Sequence, residues 1–319
     1  MAATRPASCV LIKGTGMSDV SVIILTFNEE KNLPDCLDSV KGWAREVFVV
    51  DSYSTDKTVD LALARAKEGV KVVQHRFENY SAQWNWALQR LPLKGAWTLK
   101  LDGDERVTEA FKRESDELFQ TAPATVEGVM FRRRFFFLGK GLHWGPVRGN
   151  YDLRMWRTGK AVFQDRAVNE HAQVKGERVK FKSLVEHRDN KELSDWIEKH
   201  NRYSSLEAKS LIAGNYGGWK RKMFWQFPLG RHFLFFLFNY VFRLGFLDGP
   251  AGFQYAFLQT GFLTYLIDLK RQEGLRTGEE PEVFWPARGV PHPRVAGSAL
   301  QKSVDGTKPR KSIRREKSQ

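Results

Sequence analysis

Cysteine is almost absent: among 319 residues only Cys9 and Cys36 carry a thiol. Two cysteines without a CxxC spacing exclude a disulfide scaffold and a cysteine-built zinc site, and they fit a reducing compartment. Long apolar runs are missing too. A spanning helix needs about 20 apolar residues, whereas Phe233–Phe242 offers ten between His232 and Arg243, and Gly, Pro, Gln and Thr dilute the uncharged stretch Gly249–Ile267. At the start of the chain the one apolar run, Cys9-Val10-Leu11-Ile12, is too short for a signal peptide. No secretion is expected, and Met17, directly before the first strand, is an alternative start that N-terminal mass spectrometry would reveal. There is no G-x-G-x-x-G and no Walker lysine loop, which removes the main support for a dinucleotide oxidoreductase or a P-loop NTPase. No internal repeat is visible.

The composition that remains is globular, with 42% hydrophobic, 13% aromatic and 28% charged residues. Fifty-one Lys and Arg against 37 Asp and Glu give a net charge of +14, so the surface seeks anions: nucleic acid, anionic lipid or phosphorylated substrates. Part of this is local. Residues 298–319 carry seven basic side chains against Asp305 and Glu316, and their Ser, Lys, Arg and Pro content predicts a disordered tail, solubilising or membrane-skimming, or alternatively a nucleic-acid arm.

From Val20 onward, buried-strand runs alternate with amphipathic helices, the pattern of βαβ units on a parallel sheet. Strands are predicted at Val20–Thr26, Glu46–Val50, Val70–Gln74 and Trp97–Leu101. Helices are predicted at Leu33–Val40 with Asn32 as N-cap, about Asp56–Lys67, and about Tyr80–Leu91. Three of these strands end in polar or acidic loops: Thr26-Phe27-Asn28-Glu29-Glu30, Asp51-Ser52-Tyr53-Ser54-Thr55-Asp56 and Asp102-Gly103-Asp104-Glu105. In open α/β sheets ligands bind beyond the carboxyl ends of the strands, which places the site there. Asp102-Gly103-Asp104 sets two carboxylates on a tight turn where both can face one hard cation, although Asp-Gly is also ordinary turn chemistry. Beyond Val126 come longer β-type runs, a helical stretch about Ser194–Ala213, and an aromatic-rich region from Trp219 to Leu269.

The three loops, in this order, resemble the motifs of family 2 glycosyltransferases of the GT-A fold. Tyr151-Asp152-Leu153-Arg154-Met155-Trp156-Arg157, Ala167-Val168-Asn169-Glu170-His171 and Val185-Glu186-His187 look like the bacterial subset that builds lipopolysaccharide core or related surface glycans. The resemblance covers about residues 20–270 and is weaker after 215. It implies a mixed, mainly parallel α/β sheet with flanking helices and a C-terminal aromatic-rich helical region. The implied division is a flexible 1–18, a nucleotide-sugar-binding half at 19–125, an acceptor and catalytic half at 126–215, a helical membrane-associating region at 216–275 and a disordered basic tail at 276–319.

Carried over residue by residue, the resemblance implies that Thr26, Asn28, Glu29 and Asp51 hold the nucleoside. Asp104, with Asp102, would bind Mg²⁺ or Mn²⁺ on the diphosphate, and His187 would complete that metal site or serve as a structural histidine. Asn85 would lie near the diphosphate and Arg154 would meet a phosphate, against plain helix-surface or salt-bridge roles. Glu170 would be the catalytic base, against a surface Glu beside a strand; Asn169 stands where the subset often has His. Ser52 replaces a second acidic or amide residue found in many relatives, which leaves base reading at that position open.

The implied reaction is inverting transfer of a sugar, of the hexose class, from a nucleotide-sugar donor to a lipid-linked saccharide acceptor. The aromatics of Trp219–Leu269, interleaved with Lys220, Arg221, Lys222, Arg231 and Arg243, suit an in-plane segment on an anionic membrane surface, or else a core-facing hairpin or dimer interface. A peripheral position on the cytoplasmic face of the cell membrane follows, with no nucleic acid as partner. A polyprenyl-phosphate glycosyltransferase is the competing enzyme, and a non-catalytic basic membrane or nucleic-acid-binding protein the competitor of another class. The latter leaves the acidic strand ends unexplained, since carboxylates at a groove repel phosphate unless a cation intervenes.

Overall fold

A computed structural model describes residues 17–149, 151–164, 171–216, 219–226, 230–283 and 287–306. Four strands form the parallel part of the sheet: β1 (Ser18–Thr26), β2 (Ala44–Asp51), β3 (Val70–Gln74) and β4 (Trp97–Asp102). They lie in the order β3-β2-β1-β4, connected by α1 (Leu33–Val40), α2 (Thr58–Ala64) and α3 (Tyr80–Arg90). Both faces of this part are covered, which explains why its strands read as nearly unbroken apolar runs. Val20, Val22 and Ile24 of β1 pack with Leu33, Leu37 and Val40 of α1 on one face, while Ile23 packs with Phe48, Trp84 and Leu91 on the other. Each such side chain, fully withdrawn from water, contributes about 1.5–3 kcal/mol.

The sheet continues through mostly antiparallel partners, with β6 and β11 parallel to each other. β5 (Glu105–Val107) follows β4 after a two-residue turn, and α4 (Glu109–Thr121) leads into β6 (Val126–Phe137), with β7 (Lys140–Gly141) folding back on its end. β8 (Asp152–Arg157) lies antiparallel between β4 and β6, a small hairpin joins β9 (Val162–Phe163) to β10 (Ala172–Gln173), and β11 (Glu177–Arg188) pairs with β6 and β5. The α/β architecture with a mixed sheet and flanking helices is the one the sequence implies.

The remaining helices are α5 (Leu193–Ile212), α6 (Trp219–Gln226), α7 (Arg231–Leu237), α8 (Gly249–Ala256), α9 (Leu263–Thr277), α10 (Pro293–Ala296) and α11 (Ala299–Gly306). Wide π-helical turns occupy Phe238–Phe242 and Phe257–Phe262. Among the described residues no helix is long and apolar enough to cross a membrane. The aromatic region divides its rings: Trp225 and Phe236 are buried, whereas Phe233, Phe238, Phe242, Phe246, Phe253 and Phe257 are exposed.

Three expectations need correction. Asn32 holds the N-cap position of α1 but makes no side-chain capping bond; its side chain binds Glu29 and Asp189 instead, because the strand-end loops compete for the same amide. The helix read at Asp56–Lys67 is shorter, ending in a 3-10 turn (Ala66–Glu68) that Gly69 closes in a left-handed conformation. The third concerns the disorder expected from residue 276, since residues 287–306 fold back onto the sheet. There Val295 and Val304 are buried, and the Gln301 side-chain amide pairs with the backbone N–H and C=O of Gln74 at 2.8 and 3.0 Å. Gln74 belongs to the edge strand β3, so this amide satisfies backbone groups that an open edge would leave to solvent or to another chain. Residues 307–319, and Cys9 at the other end, lie outside the described residues.

Candidate active site

The strand ends open into a cleft of about 1010 Å³, bounded by the β1, β2 and β4 loops, the end of β6, the end of β11 and the first turns of α5. Its centre is the β4–β5 turn. Gly103 is closely approached there: a Cβ at this position would stand 3.1 Å from Glu29 Cγ, so the Glu29 side chain would have to give by a few tenths of an ångström.

The two aspartates differ. Asp102 is tied down, with Oδ2 accepting from Arg154 Nη2 at 2.7 Å. The same guanidinium donates Nη1 to both oxygens of the fully buried Glu105, at 2.7 and 2.6 Å. Burial works against ionisation of Asp102, but Arg154, Lys100 and Arg133 outweigh it and hold this carboxyl well below the usual range. Burial pushes Glu105 up against the pull of the same arginine. Arg154 therefore borders the cleft and is engaged by two carboxylates, which matches the salt-bridge role weighed for it.

Asp104 is the carboxylate left for a ligand. Its Oδ1 is buried without a hydrogen-bond partner, and its Oδ2 lies 3.3 Å from His187 Nε2 and 3.8 Å from Lys199 Nζ. His187, on β11, stacks on Phe135 of β6 at 4.6 Å between ring centroids. An orphaned carboxylate oxygen beside an imidazole fits one hard or borderline divalent cation, with diphosphate oxygens completing its shell. Asp102 does not join them as a third protein ligand, and among the described residues no group of three acidic, histidine or cysteine side chains could hold a metal.

Of the other expected donor residues, Thr26 and Glu29 border the cleft. Thr26 Oγ1 donates to Asp51 Oδ1 at 3.2 Å, and Glu29 accepts from Lys191 at 2.7 Å. Burial raises the Glu29 carboxyl despite that lysine. Asn28 and Asp51 do not border the cleft; both knit loops together. Asn28, at a positive φ of 54°, accepts from Thr55 N through its Oδ1 and donates its own backbone N–H to Ser54 Oγ on the β2 loop. Asp51, fully buried, is held by Thr26, the Ser54 hydroxyl and N–H, and Gln74 Nε2. Asn85 is likewise used internally: its amide exchanges two 2.9 Å bonds with the Phe163 backbone, fastening α3 to β9. Ser52 borders the cleft. Glu170 lies outside the described residues, while its neighbour His171 borders the cleft.

The sequence reading missed the face of α5. Trp196, Lys199, His200 and Tyr203 recur at three- and four-residue spacing, which aligns them on one side of the helix, toward the cleft. That spacing was the available signal, but it reads equally as a core stripe. Burial opposes the charge on Lys199, yet Asp104, Tyr203, Glu29 and Asp189 outweigh it and keep the ammonium protonated. Burial depresses His200 to about 4, so its ring is neutral near pH 7. That ring stacks on Trp196 and lies 3.2 Å from the Gln259 amide in the second π-helical turn, joining the cleft to the aromatic region. Arg133 was hidden in an Arg-Arg-Arg run; the two-residue period of β6 turns it to the cleft side with Phe135 and Phe137.

The sequence profile described as Glycosyl transferase family 2 matches residues 21–164. The chain is 26% identical over 251 residues to an uncharacterized glycosyltransferase of Rickettsia typhi, covering 74% of this chain and 81% of that one. It is 37% identical over 100 residues to an uncharacterized glycosyltransferase of Rickettsia bellii, covering 31% and 32%. Among solved structures, S. aureus TarS in complex with UDP superposes with a TM-score of 0.42 at 16% identity, covering 82% of this chain and 92% of that one.

Proposed function

Because residues 21–164 match the family 2 glycosyltransferases, we propose that this protein transfers a hexose, with inversion, from a nucleotide-sugar donor to a lipid-linked saccharide in surface-glycan synthesis at the cytoplasmic face of the membrane. The observation that carries the reading is the unpartnered Asp104 carboxylate oxygen, set beside His187 and Lys199 at the end of β4. Breaking the glycosidic bond leaves negative charge on the diphosphate, and groups fixed in advance around that charge lower the barrier without reorganising. Lys199 is one such group. Asp104 and His187 would hold Mg²⁺ or Mn²⁺, which when bound supplies charge neutralisation of the leaving diphosphate. Thr26 and Glu29 position the donor end, and the Asp102–Arg154–Glu105 cluster keeps the β4–β5 turn in place.

Inversion needs a base on the face opposite the leaving group to take the proton of the acceptor hydroxyl. Glu170 is proposed for this role, one residue from His171 at the cleft. Glu170→Gln is expected to leave donor affinity, read by calorimetry, unchanged while transfer falls about 10²- to 10⁴-fold. Full transfer by this variant would remove Glu170 from the mechanism.

The exposed phenylalanines of residues 233–257 support the lipid-linked acceptor. Apolar rings this numerous on a surface mark an interaction site, and the basic residues interleaved with them in the sequence suit anionic headgroups. Replacing Phe238 and Phe242 together by Asp is expected to weaken sedimentation with anionic phospholipid vesicles by about tenfold or more. Unchanged vesicle binding would instead assign this face to a protein contact.

The donor reading is tested by a thermal-shift panel of UDP-, GDP- and dTDP-sugars with and without Mn²⁺. Metal-dependent stabilisation by one of them is the expected result, and none by any would overturn the reading.

A further inference from the structure

Of the residues expected to hold the nucleoside, Thr26 and Glu29 border the cleft, whereas Asn28 and Asp51 do not and instead tie the β1 and β2 loops together. The end of the chain brings a different group there. Arg288 borders the cleft between two rings, its guanidinium carbon 5.9 Å from the Phe27 centroid and 5.4 Å from that of Phe77. Its Nη1 donates to the Phe77 carbonyl at 2.8 Å, which fixes the plane of the fork and leaves its other N–H groups for a ligand. The segment is fastened on both sides of the β2–β3 end. Gly289 N donates to Tyr53 O at 2.8 Å, His292 N donates to Gln74 Oε1 at 2.6 Å, and Arg294 pairs with Asp60. A Cβ at Gly289 would stand 2.9 Å from Ser54 O, so this strap sits directly on the β2 loop.

We propose that Arg288 reads the nucleobase of the sugar-nucleotide donor, donating to base carbonyl oxygens while Phe27 and Phe77 offer apolar faces to the ring. The inference rests on the nucleotide-sugar reading above. Its chemistry follows from the residue types. A planar guanidinium presents paired donors to carbonyl oxygens, aromatic rings stack on bases of any sequence, and the site lies on the β3 side of the sheet, away from the Asp104 end where the diphosphate would lie. The strap lies outside residues 21–164, so donor selectivity would reside in a part of the chain the family match does not reach.

The test uses the full chain and isothermal calorimetry with UDP, GDP, CDP and dTDP in Mn²⁺, and with Mn²⁺-pyrophosphate as a probe lacking a base. Arg288→Ala is expected to weaken the preferred nucleoside diphosphate about 10- to 100-fold, the range for a lost charged hydrogen bond, and to leave pyrophosphate unchanged. Arg294→Ala, which loosens the same strap outside the cleft, is expected to bind nucleotide like the parent. Equal nucleotide binding by Arg288→Ala would overturn the proposal. So would a matching loss for pyrophosphate, or a matching loss in Arg294→Ala, since these assign the effect to the phosphates or to strap docking. Binding of no nucleotide by the parent protein would instead overturn the donor reading, and this proposal with it.

Discussion

Replacing Asp104 by Ala is expected to abolish Mn²⁺-dependent donor binding and to lower kcat/KM by about 10³-fold, the upper range for removing one preorganised charge-stabilising group. The expectation follows from the asymmetry of the β4–β5 turn. Asp102 has one oxygen fixed by Arg154, while Asp104 has one buried oxygen with no partner and the other shared loosely between His187 and Lys199. Deleting the carboxylate removes the cation's anionic ligand and leaves the Lys199 ammonium in place. Residual metal-independent nucleotide affinity is therefore expected to survive. Calorimetry with and without Mn²⁺ separates the two contributions, and an unchanged metal dependence would sink the assignment of Asp104.

The second large effect is on folding. Arg154→Met is expected to cost about 3–5 kcal/mol in a urea titration, because breaking a buried ion cluster leaves uncompensated charge inside the protein. Glu105 has no exposed surface, and both its oxygens depend on Arg154; one also accepts the Asp102 N–H at 3.0 Å. Arg133 gives partial compensation at 3.4 Å. Adding Glu105→Gln to Arg154→Met removes the stranded charge and is expected to restore part of the loss. A cost below about 1 kcal/mol for the single variant would mean that Glu105 simply takes up a proton.

Much of the donor half was legible. Periodicity placed α1 at Leu33–Val40 and β3 at Val70–Gln74 with the bounds found, because strands covered on both faces and an amphipathic helix leave strong, short-range patterns. The acidic loops were found as loops, but side-chain direction was not readable. Asp51 and Asn85 point inward because buried hydrogen-bond groups elsewhere, Gln74 and the Phe163 backbone, need them, and those partners lie far along the chain. Arg154 was ambiguous in the same way: a basic residue near a phosphate site and one that neutralises a buried glutamate look identical in sequence. The strap at 287–306 was hidden by averaging. Its two buried valines and one paired glutamine sit among charges that dominate any compositional window, so a segment with a place on the sheet read as disordered.

That strap also sets when the edge of β3 becomes complete. Gln74 and Gln301 are 227 residues apart, and their pairing finishes the edge of β3. At a synthesis rate of about 5–20 residues per second, roughly 10–45 s separate the emergence of the two partners from the ribosome. During that interval the β3 edge lacks Gln301, and the cleft lacks Arg288. This long-range closure, slow because a large loop must be ordered before the contact rewards it, thus coincides with the arrival of Arg288 at the cleft. A nascent chain can assemble its sheet early and still acquire this side of its cleft only once residues 288–301 have emerged.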